Sequence, residues 1–383
     1  MNRTGIFCLY TPTGEIDSTI TFTLKDLKRS VSYLIIVVNG YINNNFDLSD
    51  YADKIVIRDN VGLDVGAYTE IILSPDYVDK IKNSDELVLC NSSFYGPFIS
   101  FKDIFYKMEN NSADFWGISS SEKNFVQHIQ SYFLVFRRKI LEGGELFCYL
   151  KNRVDLKKMD YFGACSIFEN GLFWTLKNAG YRFDAYKRNI DCDNYLNPYG
   201  SVKIDELPIL KKKIFSKDFY QKRKVLNALS YIKKNYQYDI KLILDNAFCE
   251  HGIKISDSEI KKSIEEVQQD LFQDHELIER EEVERFIAEH EKIFIYGNGI
   301  MAKMIYSCFF FYENNPKLIG FIVSDNQAIS ERDFRGYPIY RYSEIKVSNQ
   351  AAILVALNKY NAKEVTSCFK ERKNIKFLWK DFV

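Results

Sequence analysis

The chain has 383 residues, 46% hydrophobic and 27% charged, with 18 Gly and 7 Pro, which excludes a collagenous repeat and a low-complexity chain. At ~150 residues per domain this length excludes one small module and leaves room for two or three domains. Lys plus Arg (52) equal Asp plus Glu (52), so no global field recruits nucleic acid, and no nucleic-acid partner is expected. Phe (30) and Tyr (26) far outnumber Trp (3), a content that suits thick aromatic cores and also sugar or nucleotide surfaces. Cysteines stand at 8, 90, 148, 165, 192, 249, 308 and 368 without a CxxC pair, as expected of reduced thiols in a cytoplasmic protein. The opening MNRTGIFCLYTPTGE has no secretory-signal pattern. The longest apolar runs, Leu34 to Val38 and Cys308 to Tyr312, fall far short of the ~20 residues that span a bilayer. Any contact with a membrane is therefore expected from one face only.

From residue 5 to about 210, short β-branched runs alternate with helical stretches, an α/β pattern. Strands are expected at Ile6 to Tyr10, Tyr33 to Asn39, Lys54 to Arg58, Glu86 to Asn91, Phe115 to Ile118 and Phe133 to Phe136. Several end on polar residues: Asn39, Asn60 just past Arg58, and Asn91 with Ser92 and Ser93. Ligands of open α/β sheets bind at the carboxyl ends of strands, so chemistry is sought there. A helix is expected from Gly163 or Ala164 to Asn178, ended by Ala179 and Gly180 before a strand at Tyr181 to Ala185.

Residues 211 to 235 interleave Lys211, Lys212, Lys213, Lys217, Lys222, Arg223 and Lys224 with apolar side chains. This basic amphipathic stretch reads first as a solvated helical face and second as a contact for anionic headgroups at the inner face of the cell membrane. From Ser256 to Lys292 the chain turns acidic, with Ile260, Ile264, Val267 and Leu271 at helical spacing, as in a connector or small bundle. Beyond it, Ile293 to Tyr296 reads as a strand, Gly297, Gly299 and Ala302 form G-x-G-x-x-A, and Ile319 to Val323 is a second strand followed by Asp325. The glycines of such a turn let a pyrophosphate approach a helix N-terminus. Only Ala352 to Ala356 reads as a further strand, so half a Rossmann fold is expected, with a vestigial or regulatory role. The boundaries are 1–215, 216–290 and 291–383.

Four motifs in order carry most information: RDNVGLDVGAYTE at 58–70, LVLCNSSFYGPF at 87–98, DFWGIS at 114–119 and HIQSYFLVFRRK at 128–139. With FENGLFWTLKNAGYRFDAY at 168–186 they resemble the rhamnan synthesis F family of bacterial polysaccharide glycosyltransferases over roughly residues 5 to 215. The resemblance implies an A-type glycosyltransferase (Rossmann-like) domain, followed here by the helical connector and a small C-terminal Rossmann-like domain. It implies transfer of a sugar, rhamnose or another deoxyhexose, from a nucleotide-diphosphate donor to a lipid-linked cell-surface polysaccharide, with dTDP-rhamnose the favoured donor.

On that reading Asn39, Asn60, Asp64, Asn91 and Ser93 bind the donor, and Tyr95, Trp116, His128 and Gln130 line the acceptor pocket. Glu169 is the base for inverting transfer, with Asp160 in reserve. Without the resemblance, Asp64 is equally well an Asx turn capping a helix near Ala67, His128 and Trp116 are core residues, and Glu169 is a surface carboxylate. The family's Asn-Asp-Ser reads Asn91-Ser92-Ser93 here, so the middle carboxylate is missing; a divalent cation (Mn or Mg), if held, has Asp64 or Asn91 as its protein ligand. No redox cofactor is expected. The competing readings are a dinucleotide-dependent oxidoreductase or epimerase built on Gly297, Gly299, Ala302 and Asp325, and a non-catalytic scaffold of polysaccharide synthesis.

Overall fold

A computed structural model describes residues 1–11, 13–43, 47–121, 127–156, 159–188, 190, 194–262, 278–311, 315–327, 332–345, 351–357, 359–369 and 374–382. The chain divides into two compact units, the first formed by Met1–Glu122 with His128–Val267 and the second by Lys123–Gln127 with Gln268–Val383.

The first unit is built on β1 (Arg3–Thr11), β2 (Tyr33–Gly40), β3 (Lys54–Arg58), β4 (Glu86–Asn91), β5 (Phe94–Tyr95), β6 (Phe115–Ser121), β7 (His128–Ile129), β8 (Phe133–Arg137), β9 (Phe183–Lys187) and β10 (Leu210–Lys211). An eight-stranded sheet runs in the order β3-β2-β1-β4-β8-β6-β7, with β9 paired to β6. The pairs among β3, β2, β1 and β4 are parallel, and β8 joins β4 antiparallel. Leu34 to Val38 of β2 are all buried, as a parallel strand covered on both faces requires. One face packs against helices Ser18–Ser30 and Phe101–Glu109 through Ile20, Leu24, Leu27, Phe101, Ile104 and Phe105. The first of these helices starts where Asp17 accepts from the Thr19 and Ile20 amides at 2.7 and 3.1 Å.

Strand order reverses direction at β1, whose neighbours are β2 on one side and β4 on the other. That reversal leaves a crevice outside the carboxyl ends of β1 and β4, where a doubly wound sheet places its ligand. The expected helix from 163 to 178 is present as a continuous run: Tyr161–Gly163, a wide π-type turn over Ala164–Gly171, then Leu172–Asn178.

The basic stretch is not one helix. A short turn at Lys212–Phe215 precedes helix Lys222–Asn235, and most of the cations have partners within the chain. Lys212 pairs with Asp17 at 3.3 Å, Lys222 with Glu259 at 2.6 Å, and Lys224 donates to the Leu196 carbonyl at 3.3 Å. Lys213 lies against the rings of Tyr161, Tyr195 and Phe219. Helices Lys222–Asn235 and Lys241–His251 share a core with Tyr95, Tyr199, Val202, Leu210 and Phe215, so this segment belongs to the first unit. Ile264, Val267 and Leu271 of the acidic stretch lie outside the described residues, as do Cys192 and Tyr312. The seven described cysteines are free thiols, and no helix among the described residues is long and apolar enough to cross a membrane.

The second unit holds β11 (Lys292–Tyr296), β12 (Leu318–Val323), β13 (Asp333–Phe334), β14 (Tyr337–Arg341), β15 (Ala351–Val355) and β16 (Ile375–Phe377) in a sheet ordered β13-β14-β12-β11-β15-β16. It is Rossmann-like, and larger than the half fold expected from sequence. The short strands β13, β14 and β16 were missed because none carries the run of four or more buried residues that marks β11 and β15.

Candidate functional site

Arg58, at the end of β3, organises the loop that leads to Asp64. Its guanidinium donates to Asn39 Oδ1 at 2.6 Å and to the Val61 carbonyl at 2.7 Å, and forms a two-pronged contact with Glu70 at 2.6 and 2.8 Å. Asn39 in turn donates to the Leu63 carbonyl at 2.8 Å. Asn39 is 1% exposed, so it supports this loop from behind and does not face a donor. Gly62 (φ 78°) caps helix Leu63–Leu73, and Gly66 is required by close approach: a Cβ there would lie 2.2 Å from the Val61 carbonyl oxygen. Leu63 also has positive φ (56°), backbone strain of the kind that collects at functional sites. Arg58→Met is expected to cost about 1–3 kcal/mol through orphaned acceptors and to speed amide exchange around residues 59–65, as urea unfolding and hydrogen exchange would register.

The loop delivers Asp64 to the crevice. Asp64 Oδ2 accepts from Asn91 Nδ2 at 2.8 Å, and Asn91 Oδ1 accepts from the Ser93 amide at 3.1 Å and the Ser93 hydroxyl at 2.7 Å. Loss of water pushes the Asp64 carboxyl above the usual carboxylate range; the Asn91 hydrogen bond opposes this and the Glu169 charge adds to it. Glu169 comes from the π-type turn, where the wider pitch puts Cys165 and Glu169 on nearly one face. Glu169 Oε1 accepts from the Ser131 amide at 2.8 Å and the Ser131 hydroxyl at 2.7 Å. Tyr132 then ties the two halves together, because its carbonyl accepts from the Asn91 amide at 3.2 Å.

The last member is Lys211, on β10, which pairs antiparallel with β5 just past the Asn91–Ser93 turn. Its ammonium lies 3.8 Å from the centre of the Tyr132 ring. Burial lowers the Lys211 pKa to about 8 against the opposing pull of Glu169, Cys165 and Asp64, and Lys213 lowers it further. A lysine whose folded pKa is depressed destabilises the fold while it stays charged, and that cost fades as pH rises from about 8 towards its ordinary value of 10.5. Lys211→Met is therefore expected to be more stable than the parent at pH 7, with the advantage shrinking by pH 10 in paired urea titrations.

Other candidates fall elsewhere. Asp160 is exposed and caps a helix turn, accepting from the Gly163 amide at 2.8 Å. Trp116 is 0% exposed and packs edge-on against Phe105 with ring centres 5.5 Å apart; it belongs to the core, and a sugar cannot stack on it. Tyr95 is also fully buried, donating to Asn246 Oδ1 at 2.7 Å. His128 is buried in β7 beside Ser121 of β6. Gln130 is buried one residue before Ser131 with both ends of its amide unpartnered, and Tyr68, in the same helix as Asp64, has a buried hydroxyl without a partner. Asn60 is exposed at the start of the loop. In the second unit Gly297 (φ 118°) sits where a Cβ would lie 2.7 Å from the Ala356 carbonyl oxygen, Gly299 precedes helix Ile300–Tyr306, and Ala302 is buried. Asp325 accepts from the Ser343 amide at 2.9 Å, which lowers its pKa.

Among the described residues no three His, Cys, Asp or Glu side chains converge, and the two expected ligands, Asp64 and Asn91, are hydrogen-bonded to each other. Sequence reasoning missed Ser131 and Lys211. Ser131 stood within a quoted motif, whereas Lys211 was masked by the run of lysines around it.

The family model for rhamnan synthesis protein F matches residues 34–286, about two thirds of the chain. The chain belongs to the rhamnan synthesis protein F family. The match contains Asp64, Asn91, Ser131, Glu169 and Lys211 and extends past the motifs quoted above. The virulence protein VirA of Vibrio anguillarum is 25% identical over 183 residues, 47% of this chain and 58% of that protein. The chain thus spans under two thirds of that relative's length. The uncharacterized protein y4gN of Sinorhizobium fredii is 26% identical over 150 residues, 38% of each chain. The apo form of the glycosyltransferase GlyE of Streptococcus pneumoniae aligns over 96% of this chain and 89% of its own at 12% identity and a TM-score of 0.34, a likeness too weak to argue from.

Proposed function

We propose that the first unit of this rhamnan synthesis F family member is a glycosyltransferase, moving a deoxyhexose, rhamnose first among them, from a nucleotide-diphosphate donor to a lipid-linked surface polysaccharide at the inner face of the membrane. The observation that carries this reading is the meeting of Asp64, Asn91 and the Ser131-held Glu169 at the carboxyl ends of β1 and β4, the switch point of a Rossmann-like sheet. With Oε1 engaged by two donors from Ser131 and the Cys165 thiol hydrogen-bonded to the same side chain, the Glu169 carboxylate is fixed in place.

The reaction follows as inversion. The acceptor hydroxyl oxygen attacks the anomeric carbon, its proton passes to Glu169, and the bond to the donor's β-phosphate breaks with its electron pair leaving on the diphosphate. Asp64 and Asn91 hold the donor, and the unpartnered amide of Gln130 is a spare polar contact for a bound hydroxyl. The test is turnover read by mass spectrometry, with dTDP-, UDP- and GDP-sugars and a rhamnose-bearing lipid acceptor. One donor giving product supports the reading; a folded protein that neither turns over nor binds any of them would point to a scaffold.

A further inference from the structure

The crevice has an unbalanced charge. Asp64 and Glu169 both face it, close enough that the Glu169 charge raises the Asp64 pKa and both charges raise that of Cys165, and the Asn91-Ser92-Ser93 turn adds no carboxylate for a cation to bind. Two carboxylates repel an incoming diphosphate, and a leaving diphosphate gains charge as the glycosidic bond breaks, so a fixed positive group is needed. Lys211 is the cation at this position. It enters on a two-residue strand whose register is set by pairing Leu210 with Tyr95 and Lys211 with Phe94, and the next residue's amide, Lys212, donates to the Ser93 carbonyl at 3.0 Å. Its ammonium rests on Tyr132, between the strand that carries Asn91 and the Ser131 that holds Glu169. Among the described residues no carboxylate lies within 4 Å of it, so its donors are not spent on an ion pair. Lys212 and Lys213 of the same run are occupied, by Asp17 and by three aromatic rings.

We propose that Lys211 neutralises the diphosphate of the donor and of the leaving nucleotide, in place of a divalent cation held by the protein. This rests on the glycosyltransferase reading of the same site. A lysine suits the task, being a compact charge with several donors that can follow the phosphate oxygens as the bond lengthens. Held on an aromatic face and half-buried, it acts with less screening than a surface lysine.

The experiment is calorimetric titration of the full chain with dTDP, UDP and GDP, in EDTA and again with manganese, for the parent, Lys211→Met and Lys211→Arg. At least one nucleoside diphosphate is expected to bind in EDTA, with affinity reduced roughly 30-fold or more in Lys211→Met, as for loss of a buried charge partner, and largely restored in Lys211→Arg. Thermal melts of both variants establish that they are folded. Binding that appears only with manganese, or a Lys211→Met that binds like the parent, overturns the role of Lys211 while leaving the transferase reading standing. No binding of any nucleoside diphosphate in either condition overturns both.

Discussion

Glu169→Gln is expected to lower the transfer rate by roughly 100- to 10,000-fold, the usual worth of a placed general base, while leaving the donor's affinity near that of the parent. The geometry makes this substitution a clean one. Ser131 donates twice to Glu169 Oε1, and the amide oxygen of glutamine can accept both bonds, so the side chain stays where it is and loses only its ability to take a proton. Single-turnover rates with the productive donor would measure it, and an unchanged melting temperature would show that the loss is chemical. A Gln variant that keeps more than half of the parent rate would remove Glu169 from the mechanism. Asp160→Asn is the matching control: Asp160 serves as a helix cap, and asparagine caps equally well, so its rate is expected to match the parent.

Trp116→Ala is expected to destabilise the first unit by about 3–5 kcal/mol, the largest effect of any single truncation considered. Trp116 is fully buried in the core between sheet and helices, 5.5 Å from Phe105 and 6.0 Å from Phe133 by ring centres. Its indole N–H has no partner, so Trp116→Phe, which removes a buried unsatisfied donor with part of the ring volume, is expected to cost much less than alanine. Urea unfolding of the two variants decides the matter. A stable Trp116→Ala protein with weakened acceptor binding would return this residue to the pocket.

The contrast between Glu169 and Trp116 shows what pattern alone can carry. Both were named from motifs, but only Glu169 reaches the crevice, because the π-type turn presents it to Ser131, whereas the alternation of β6 turns Trp116 onto the packed helices. Asn39 shows the same limit. A polar strand end reads as a ligand, yet Arg58, 19 residues further along, draws it into a hydrogen-bond chain that holds the loop.

The sequence by itself determined the strands of the first sheet closely, since Lys54–Arg58 and Glu86–Asn91 fall where β-branched and apolar runs placed them. It also determined the two-glycine loop around Asp64, because close backbone approach at Gly66 tolerates no side chain. These features depend on local propensity, burial period and backbone sterics, which neighbouring residues encode. Only the tertiary structure decided which polar groups meet. Asp64, Asn91, Ser131, Glu169 and Lys211 come from five separate stretches, and their convergence depends on strand order and on an antiparallel register between β5 and β10 that no local pattern specifies. Lys211 is the sharpest case: its sequence neighbours make it look like one of several surface lysines, and only the pairing of β10 with β5 sets its ammonium over Tyr132 beside the two carboxylates.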